Sequence, residues 1–294
     1  MRSVSIIGIG RAGGALALAM AGKGYPVVDL IYRSAETAEM IATRISPRPG
    51  LFSSERFPEI CSDVVFITTP DPEIQSISRQ LESVLQSKPY VFHISGSLSS
   101  ELLSNLSEIG CKTGSIHPLV SISDPVLGAA KFYGAYFCVE GDDSAVVVGK
   151  EIVNSLGGIP FTIETKFKAL YHASAVTACG HLVALIDVAI EMLAKCGLEA
   201  DESRRVLLPL IRSTVENLEL QDTEAALTGS FARADLAAFE RHLTALQTSV
   251  SKQAQEVYLQ LGERSLLLAE HRDGAAKDIR KIRDRISIAK RNLK

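Results

Sequence analysis

Ser3-Val4-Ser5-Ile6-Ile7, Gly8-Ile9-Gly10-Arg11-Ala12-Gly13 and Gly14-Ala15-Leu16-Ala17-Leu18-Ala19-Met20 follow one another without a gap, and this stretch decides the fold. The first block reads as a short apolar strand and the last as a helix. Between them stands G-x-G-x-x-G, in the strand-to-helix context that gives the motif its meaning. Gly8 permits the tight turn, Gly10 lets the backbone approach a pyrophosphate, and Gly13 lets helix and strand pack closely. The helix start at Arg11 and Ala12 offers free N–H groups and the positive end of a dipole to phosphates. Gly8, Gly10, Arg11, Ala12 and Gly13 are therefore candidate dinucleotide ligands.

Strand patterns at residues 25–32, 62–68, 90–94, 112–116 and 136–139 alternate with helical patterns at 35–44, 72–85, 100–109 and 144–156. Such alternation implies an α/β fold with a mainly parallel, doubly wound Rossmann-type sheet. Gly157-Gly158-Ile159-Pro160 breaks the pattern, and a short apolar segment follows at 161–163. Beyond Lys166 apolar residues recur at helical spacing and no strand pattern returns. One helix is predicted over 166–196, stopping at Gly197. A second is capped by Asp201 and bent at Pro209, and a third covers 233–261. The chain thus divides into a dinucleotide-binding domain, 1–162, and an all-α domain for substrate binding and dimerisation, 163–294.

With 294 residues, 46% hydrophobic content and a net charge of −3, this is an ordinary globular composition that does not call for nucleic acid. With the first strand pattern starting at Ser3, no secretory leader is expected. The apolar stretch 173–190 contains His181 and Asp187 and reads as a buried helix, not a membrane span. Five cysteines form no C-x-x-C and read as reduced core thiols, so the expected compartment is the cytoplasm. No metal-ligand spacing occurs. The basic stretch 271–294 reads as a solvated amphipathic helix, with a phosphate or partner contact as the alternative.

The second strand ends Ile31-Tyr32-Arg33-Ser34. An acid at this point would hold the ribose hydroxyls of NAD, whereas an Arg accommodates the 2′-phosphate of NADP. Arg33 and Ser34 offer a guanidinium and a hydroxyl, so NADP is the expected cofactor, unless Arg33 is only a surface charge. Further strand ends carry Thr68-Thr69-Pro70-Asp71, His93-Ile94-Ser95-Gly96-Ser97 and His117-Pro118. Ligands of open α/β sheets bind beyond these ends. Thr69, Pro70, Ser95 and Gly96 accordingly join the cofactor set. His117 is placed at the cleft, and His93 reads as a satisfied core histidine.

Taken together, Gly8-Ile9-Gly10, Pro70-Asp71, His93-Ile94-Ser95-Gly96, Ser115-Ile116-His117-Pro118, Lys168-Ala169-Leu170-Tyr171-His172 and Ala226-Leu227-Thr228-Gly229 resemble one family over residues 1 to about 270. It comprises Rossmann-like proteins with a C-terminal helical domain of unknown function, described as short-subunit dehydrogenase-like oxidoreductases. The family is related in architecture to pyrroline-5-carboxylate reductase, ketopantoate reductase and the β-hydroxyacid dehydrogenases. The resemblance implies NADP binding and a helical dimerisation domain. Three positions depart from it. Cys179-Gly180 replaces a usual Ser-Asn, Thr228-Gly229-Ser230 a Thr-Gly-Pro, and Arg233-Ala234-Asp235 an Arg-Gly-Asp.

Hydride transfer belongs to the cofactor, and the protein must position the acceptor and supply a proton. Lys168 and His172 share a helix face at i, i+4 spacing. Lys168 is a candidate proton donor to a nascent alkoxide, and His172 a hydrogen-bond partner or acid for the same oxygen. The plain alternative is a solvated Lys and a His packed beside Tyr171. Thr228 and Ser230 are candidate substrate donors and Arg233 a bidentate carboxylate clamp, against a simple capping turn. The expected cleft lies between the domains, lined by Ser95, His117, Lys168, His172, Thr228 and Arg233. The expected activity is NADP-dependent reduction of a small 2-keto acid or similar carbonyl. An imine reductase and a non-catalytic NADP sensor are the alternatives. The apolar 166–196 helix predicts a homodimer.

Overall fold

A computed structural model describes residues 1–270 and 276–293. The chain forms two compact units, Met1–Cys179 and Gly180–Lys294.

In the first unit the glycine stretch folds as β1 (Val4–Ile7) running into α1 (Arg11–Gly22). There follow β2 (Val27–Tyr32), α2 (Ala35–Ala42), β3 (Gly50–Ser53), β4 (Val64–Ile67), α3 (Asp71–Leu81) and β5 (Tyr90–His93). Then come α4 (Ser104–Glu108), β6 (Lys112–Pro118), α5 (Pro125–Ala130), β7 (Tyr136–Gly141), α6 (Asp143–Leu156), β8 (Ile159–Phe161) and α7 (Lys168–Ala178). The sheet order is β3-β2-β1-β4-β5-β6-β7-β8. Neighbours are parallel except β6 and β7, which pair antiparallel from Gly114 with Gly141 to Pro118 with Phe137. Alternation of side chains sorts the central strands into two cores. Val4, Ile6, Val64 and Phe66 pack on one face with Leu16 and Met20 of α1. Ile7, Val65 and Ile67 pack on the other with Ile74 and Leu81 of α3. Both faces are covered, so β1 and β4 are buried from end to end.

The second unit holds α8 (Gly180–Lys195), α9 (Ala200–Leu220), α10 (Thr223–Ala226), α11 (Gly229–Ala232), α12 (Leu236–Ser249), α13 (Lys252–Ala269) and α14 (Ala276–Leu293). Its core joins Phe239, Leu243, Leu259 and Leu266 to Ile279, Ile282 and Ile286 of α14. The fold class read from the sequence, a doubly wound sheet followed by helices, is the one observed.

Several boundaries differ from expectation. The helix foreseen over 166–196 is interrupted at Cys179, directly before Gly180. Its first part, α7, belongs with the sheet, because Lys168 and Tyr171 are hydrogen-bonded to Ser115 and His117 of β6. The first unit accordingly extends to Cys179, past the expected boundary at 162. The segment 173–190 has no buried residue, where a buried helix was expected. Asp201 does not cap α9. Glu199 stands at the cap, and Asp201 in the first turn accepts from Arg204 at 3.1 Å. The helix foreseen over 233–261 is two helices. Val250 is extended, and the Ser251 hydroxyl caps α13 by accepting from Ala254 N–H at 3.2 Å. Of the five free cysteines only Cys111 and Cys138 are buried, while Cys61, Cys179 and Cys196 are exposed. In the basic C-terminal stretch, residues 271–275 and 294 lie outside the described residues. The helix between them is amphipathic, and Arg283, Arg285 and Lys290 pair with Glu270, Glu240 and Glu263.

Candidate functional site

The loops at the carboxyl ends of β1, β2, β4, β5 and β6 enclose a groove of about 760 Å³. At its centre lies the glycine turn. Gly8 has φ +100°, and a Cβ there would stand 2.8 Å from Thr69 N. Only glycine lets the first turn pass beside the β4 turn. At Gly13 a Cβ would overlap Gly8 O and the Thr68 hydroxyl, which itself donates to Gly8 O at 2.6 Å. At Gly10 a Cβ would meet nothing within 4 Å, so open groove lies in front of that backbone. No side chain caps α1, which leaves its first N–H groups to the groove. Arg11 and Ala12 line it beside them.

At the end of β2, Arg33 Nη1 donates to Glu73 Oε1 at 2.9 Å, with the Arg33 side chain 79% exposed. Ser34 stands at the cap of α2, but its hydroxyl makes no cap bond and lies 3.5 Å from the Thr37 hydroxyl. Thr69 and Pro70 lead into α3, and Thr69 Oγ1 is buried without a hydrogen-bond partner. Asp71 opens α3 and accepts from the hydroxyls of Ser95 at 2.9 Å and Ser97 at 2.7 Å. Ser95 Oγ in turn accepts from Leu98 N–H at 3.0 Å, so it ties the β5 loop to α3.

His93 is fully buried. Its Nδ1 accepts from Ser95 N–H at 3.2 Å, which makes Nε2, 3.1 Å from Ser99 O, the donor. Burial pushes its pKa down to about 4. This is the satisfied core histidine that was expected. His117 is different. Its Nδ1 is 2.7 Å from the Tyr171 hydroxyl, and its ring meets His172 edge-on at 5.5 Å between centroids. Burial, with the Lys168 charge second, lowers the His117 pKa to about 3. Burial likewise raises that of Tyr171.

The two imidazoles converge on Gly96. A Cβ on Gly96 would overlap His172 Nδ1 and lie 2.7 Å from His117 Nε2. His172 Nδ1 is buried at the groove wall and has no hydrogen-bond partner. Lys168, one turn earlier on α7, points elsewhere. Its amine donates to Ser115 Oγ at 2.7 Å and lies 3.8 Å from Glu140 Oε1, with both side chains 2% exposed. Glu140 also accepts from Ser100 N–H at 3.0 Å, Ser100 Oγ at 2.8 Å and Thr165 Oγ1 at 3.2 Å. Burial lowers the Lys168 pKa against the pull of Cys138 and Glu140.

The groove thus gathers Gly8, Gly10, Arg11, Ala12, Arg33, Ser34, Thr69, Pro70, Ser95, Gly96, His117 and His172. Gly13 stands behind the turn, and Lys168 behind Ser115. Thr228, Ser230 and Arg233 belong to the second unit. There Thr228 stands at the cap position of α11 without a cap bond from its side chain, Ser230 O accepts from Asp235 N–H at 2.9 Å, and Arg233 is exposed. Asp235 caps α12. Sequence reasoning assigned no role to Glu73, Tyr171 or Glu140. Glu140 was signalled only as the carboxylate that directly follows the apolar run Phe137-Cys138-Val139. Among the described residues no cluster of three His, Cys, Asp or Glu is placed to hold a metal.

Residues 1–118 match a family model described as a Rossmann-like domain, and residues 135–265 match a domain of unknown function, DUF2520. No curated protein matches the chain. Solved structures share the fold. A Bacteroides fragilis protein carrying the provisional name of NADP oxidoreductase is 21% identical, with TM-score 0.72 over 90% of this chain and 98% of its own. A reductive aminase of Aspergillus terreus, solved with NADPH and ethyl-5-oxohexanoate, is 18% identical, with TM-score 0.65 over 97% and 99%. The Plasmodium falciparum pyrroline carboxylate reductase, solved with NADP, is 16% identical, with TM-score 0.57 over 92% and 98%.

Proposed function

We propose that the protein is an NADP-dependent reductase acting on the carbonyl of a small 2-keto acid or a similar compound. One observation carries the reading. Two buried polar atoms without partners, Thr69 Oγ1 and His172 Nδ1, stand on the wall of the groove that the glycine turn opens. Buried polar atoms are rarely left unpaired, and both are satisfied by a polar ligand seated there. The groove suits a dinucleotide phosphate. Gly8, Gly10, Arg11 and Ala12 offer backbone to the pyrophosphate, Gly13 lets the turn close behind them, and Arg33 and Ser34 take the 2′-phosphate. Thr69, Pro70, Ser95 and Gly96 flank the nicotinamide end. Bound there, the cofactor supplies the hydride.

The chain's own part is orientation and the proton. His172 Nδ1 holds the proton taken up by the oxygen of the reduced carbonyl. His117, kept neutral by burial and anchored by Tyr171, hydrogen-bonds that oxygen and draws electron density from the carbon. Lys168 positions both histidines from beneath by holding Ser115 and Glu140.

We also infer a homodimer. The stretch Thr165–Lys195 is long and apolar enough to cross a membrane by composition, with mean hydropathy 1.8. Its first part is fixed to the sheet through buried Lys168. The rest, α8, has 16 residues. That is about 24 Å, short of a bilayer core of about 30 Å. Along α8 and α9, which pack together, only Ser203 is buried, while Val183, Leu210 and Leu218 are exposed. A second copy is the cover this hairpin fits. The buried unpaired thiols Cys111 and Cys138 suit a reducing cytoplasm.

The first test is a titration with NADPH. The chain has no tryptophan, so the emission of the bound nicotinamide is read without transfer from indole. Consumption of NADPH is then followed against a panel of 2-keto acids and cyclic imines. Absence of NADPH binding overturns the reading. Turnover of imines alone moves the substrate class to imines, and binding without any turnover leaves an NADP sensor.

A further inference from the structure

The cation at the end of β2 is already taken. Arg33 Nη1 donates to Glu73 Oε1 at 2.9 Å, and no other ion pair or side-chain hydrogen bond holds Arg33 among the described residues. Glu73 sits in the first turn of α3, across the groove from the α2 cap, and its side chain is 39% exposed. Both residues line the groove, together with Ser34, Thr37 and Ser54. An acid and a base thus face each other where the ribose edge of the adenosine would rest.

The two groups prefer different ligands. A guanidinium binds a phosphate dianion through its remaining N–H donors. A carboxylate accepts ribose hydroxyls and repels a phosphate brought beside it. We propose that Glu73 is a specificity-determining residue that tempers the preference for NADPH over NADH, by competing with the 2′-phosphate for Arg33 and by accepting a ribose hydroxyl when that phosphate is absent. The proposal rests on the reading of this groove as a dinucleotide site. The pair is exposed, so its effect is modest and sensitive to salt.

The test is fluorescence titration of the full chain with NADPH and with NADH, for the wild type, Glu73→Gln, Glu73→Asp, Arg33→Ala and the Glu73→Gln/Arg33→Ala double variant. Glu73→Gln should tighten NADPH about three- to tenfold, as expected for an exposed pair plus relief of repulsion. It should leave NADH unchanged or weaker. Glu73→Asp, with the carboxylate drawn back by one methylene, should shift the ratio the same way by less. In the Arg33→Ala background the effect of Glu73→Gln on NADPH should shrink, because the contested cation is gone. An equal change for both cofactors overturns the proposal while leaving the dinucleotide site intact. Weaker NADPH binding by Glu73→Gln overturns it too, since Glu73 would then be aligning Arg33. A wild type that binds neither cofactor overturns the site and the proposal together.

Discussion

Replacing Lys168 by Met removes a charge from the interior while keeping most of the side chain's length. The Glu140 carboxylate, 2% exposed, then loses the one cation paired with it among the described residues. Breaking a buried pair by deleting one partner costs about 3–5 kcal/mol, because the remaining charge is uncompensated. The lower end applies here. The charges are 3.8 Å apart, and Glu140 keeps its bonds from Ser100 N–H, Ser100 Oγ and Thr165 Oγ1. We therefore expect about 3 kcal/mol. For a slope of about 3 kcal/mol/M, the urea midpoint followed by circular dichroism should fall by about 1 M. Adding Glu140→Gln removes the stranded charge, and the double variant should regain more than half of the loss. NADPH affinity should stay within about twofold in both, since the amine faces Ser115 and not the groove wall (twofold is about 0.4 kcal/mol). A loss under about 1 kcal/mol, or a double variant no better than the single one, refutes the buried-pair account. Lost NADPH binding with stability intact refutes the positioning role.

Arg33→Ala should weaken NADPH by about 1.5–3 kcal/mol and leave NADH nearly unchanged in the same titrations. Gly96→Ala drives a methyl into both imidazoles, so stability measured in urea should fall by about 1–3 kcal/mol. For pH, His93 takes a proton near 6.5 when unfolded and near 4 when folded. The stability from its neutral ring is complete above pH 6.5 and drains as pH falls toward 4. The loss is about 2 kcal/mol by about pH 5, and urea midpoints in His93→Gln should show a shallower slope across that window. Light scattering should report twice the 31.7 kDa chain mass. A lysine at position 183, Val183→Lys, should bring it down to the single-chain value.

The sheet was legible because its signals are local. The glycine turn names β1 and α1 together, and the apolar run Val64-Val65-Phe66-Ile67 names a strand buried on both faces. What was missed has weaker signatures. β3 is four half-buried residues at the sheet edge. α5 is short, although Asp124-Pro125 announces it. The Asp124 carboxylate caps Val126 and Leu127 at 2.9 Å, and Pro125 sits at the first helical position. At the site, the spacing of Lys168 and His172 gave a shared helix face. It could not tell that one residue turns inward to Glu140 and the other to the groove. That choice is made by partners far along the chain, 53 residues away for Ser115. The Arg33–Glu73 contact is equally non-local, and no periodicity encodes it.

The seam at Cys179 bears on how such a chain is assembled and exchanged over evolutionary time. A recombination that replaced everything after residue 162 would part His117 from Tyr171 and His172, and the acquired module would have to rebuild their contacts with a foreign sheet. A crossover at Gly180 carries no such burden. The sheet, the glycine turn and both imidazoles then travel as one cassette, with the contacts of His117 to Tyr171 and His172 carried intact.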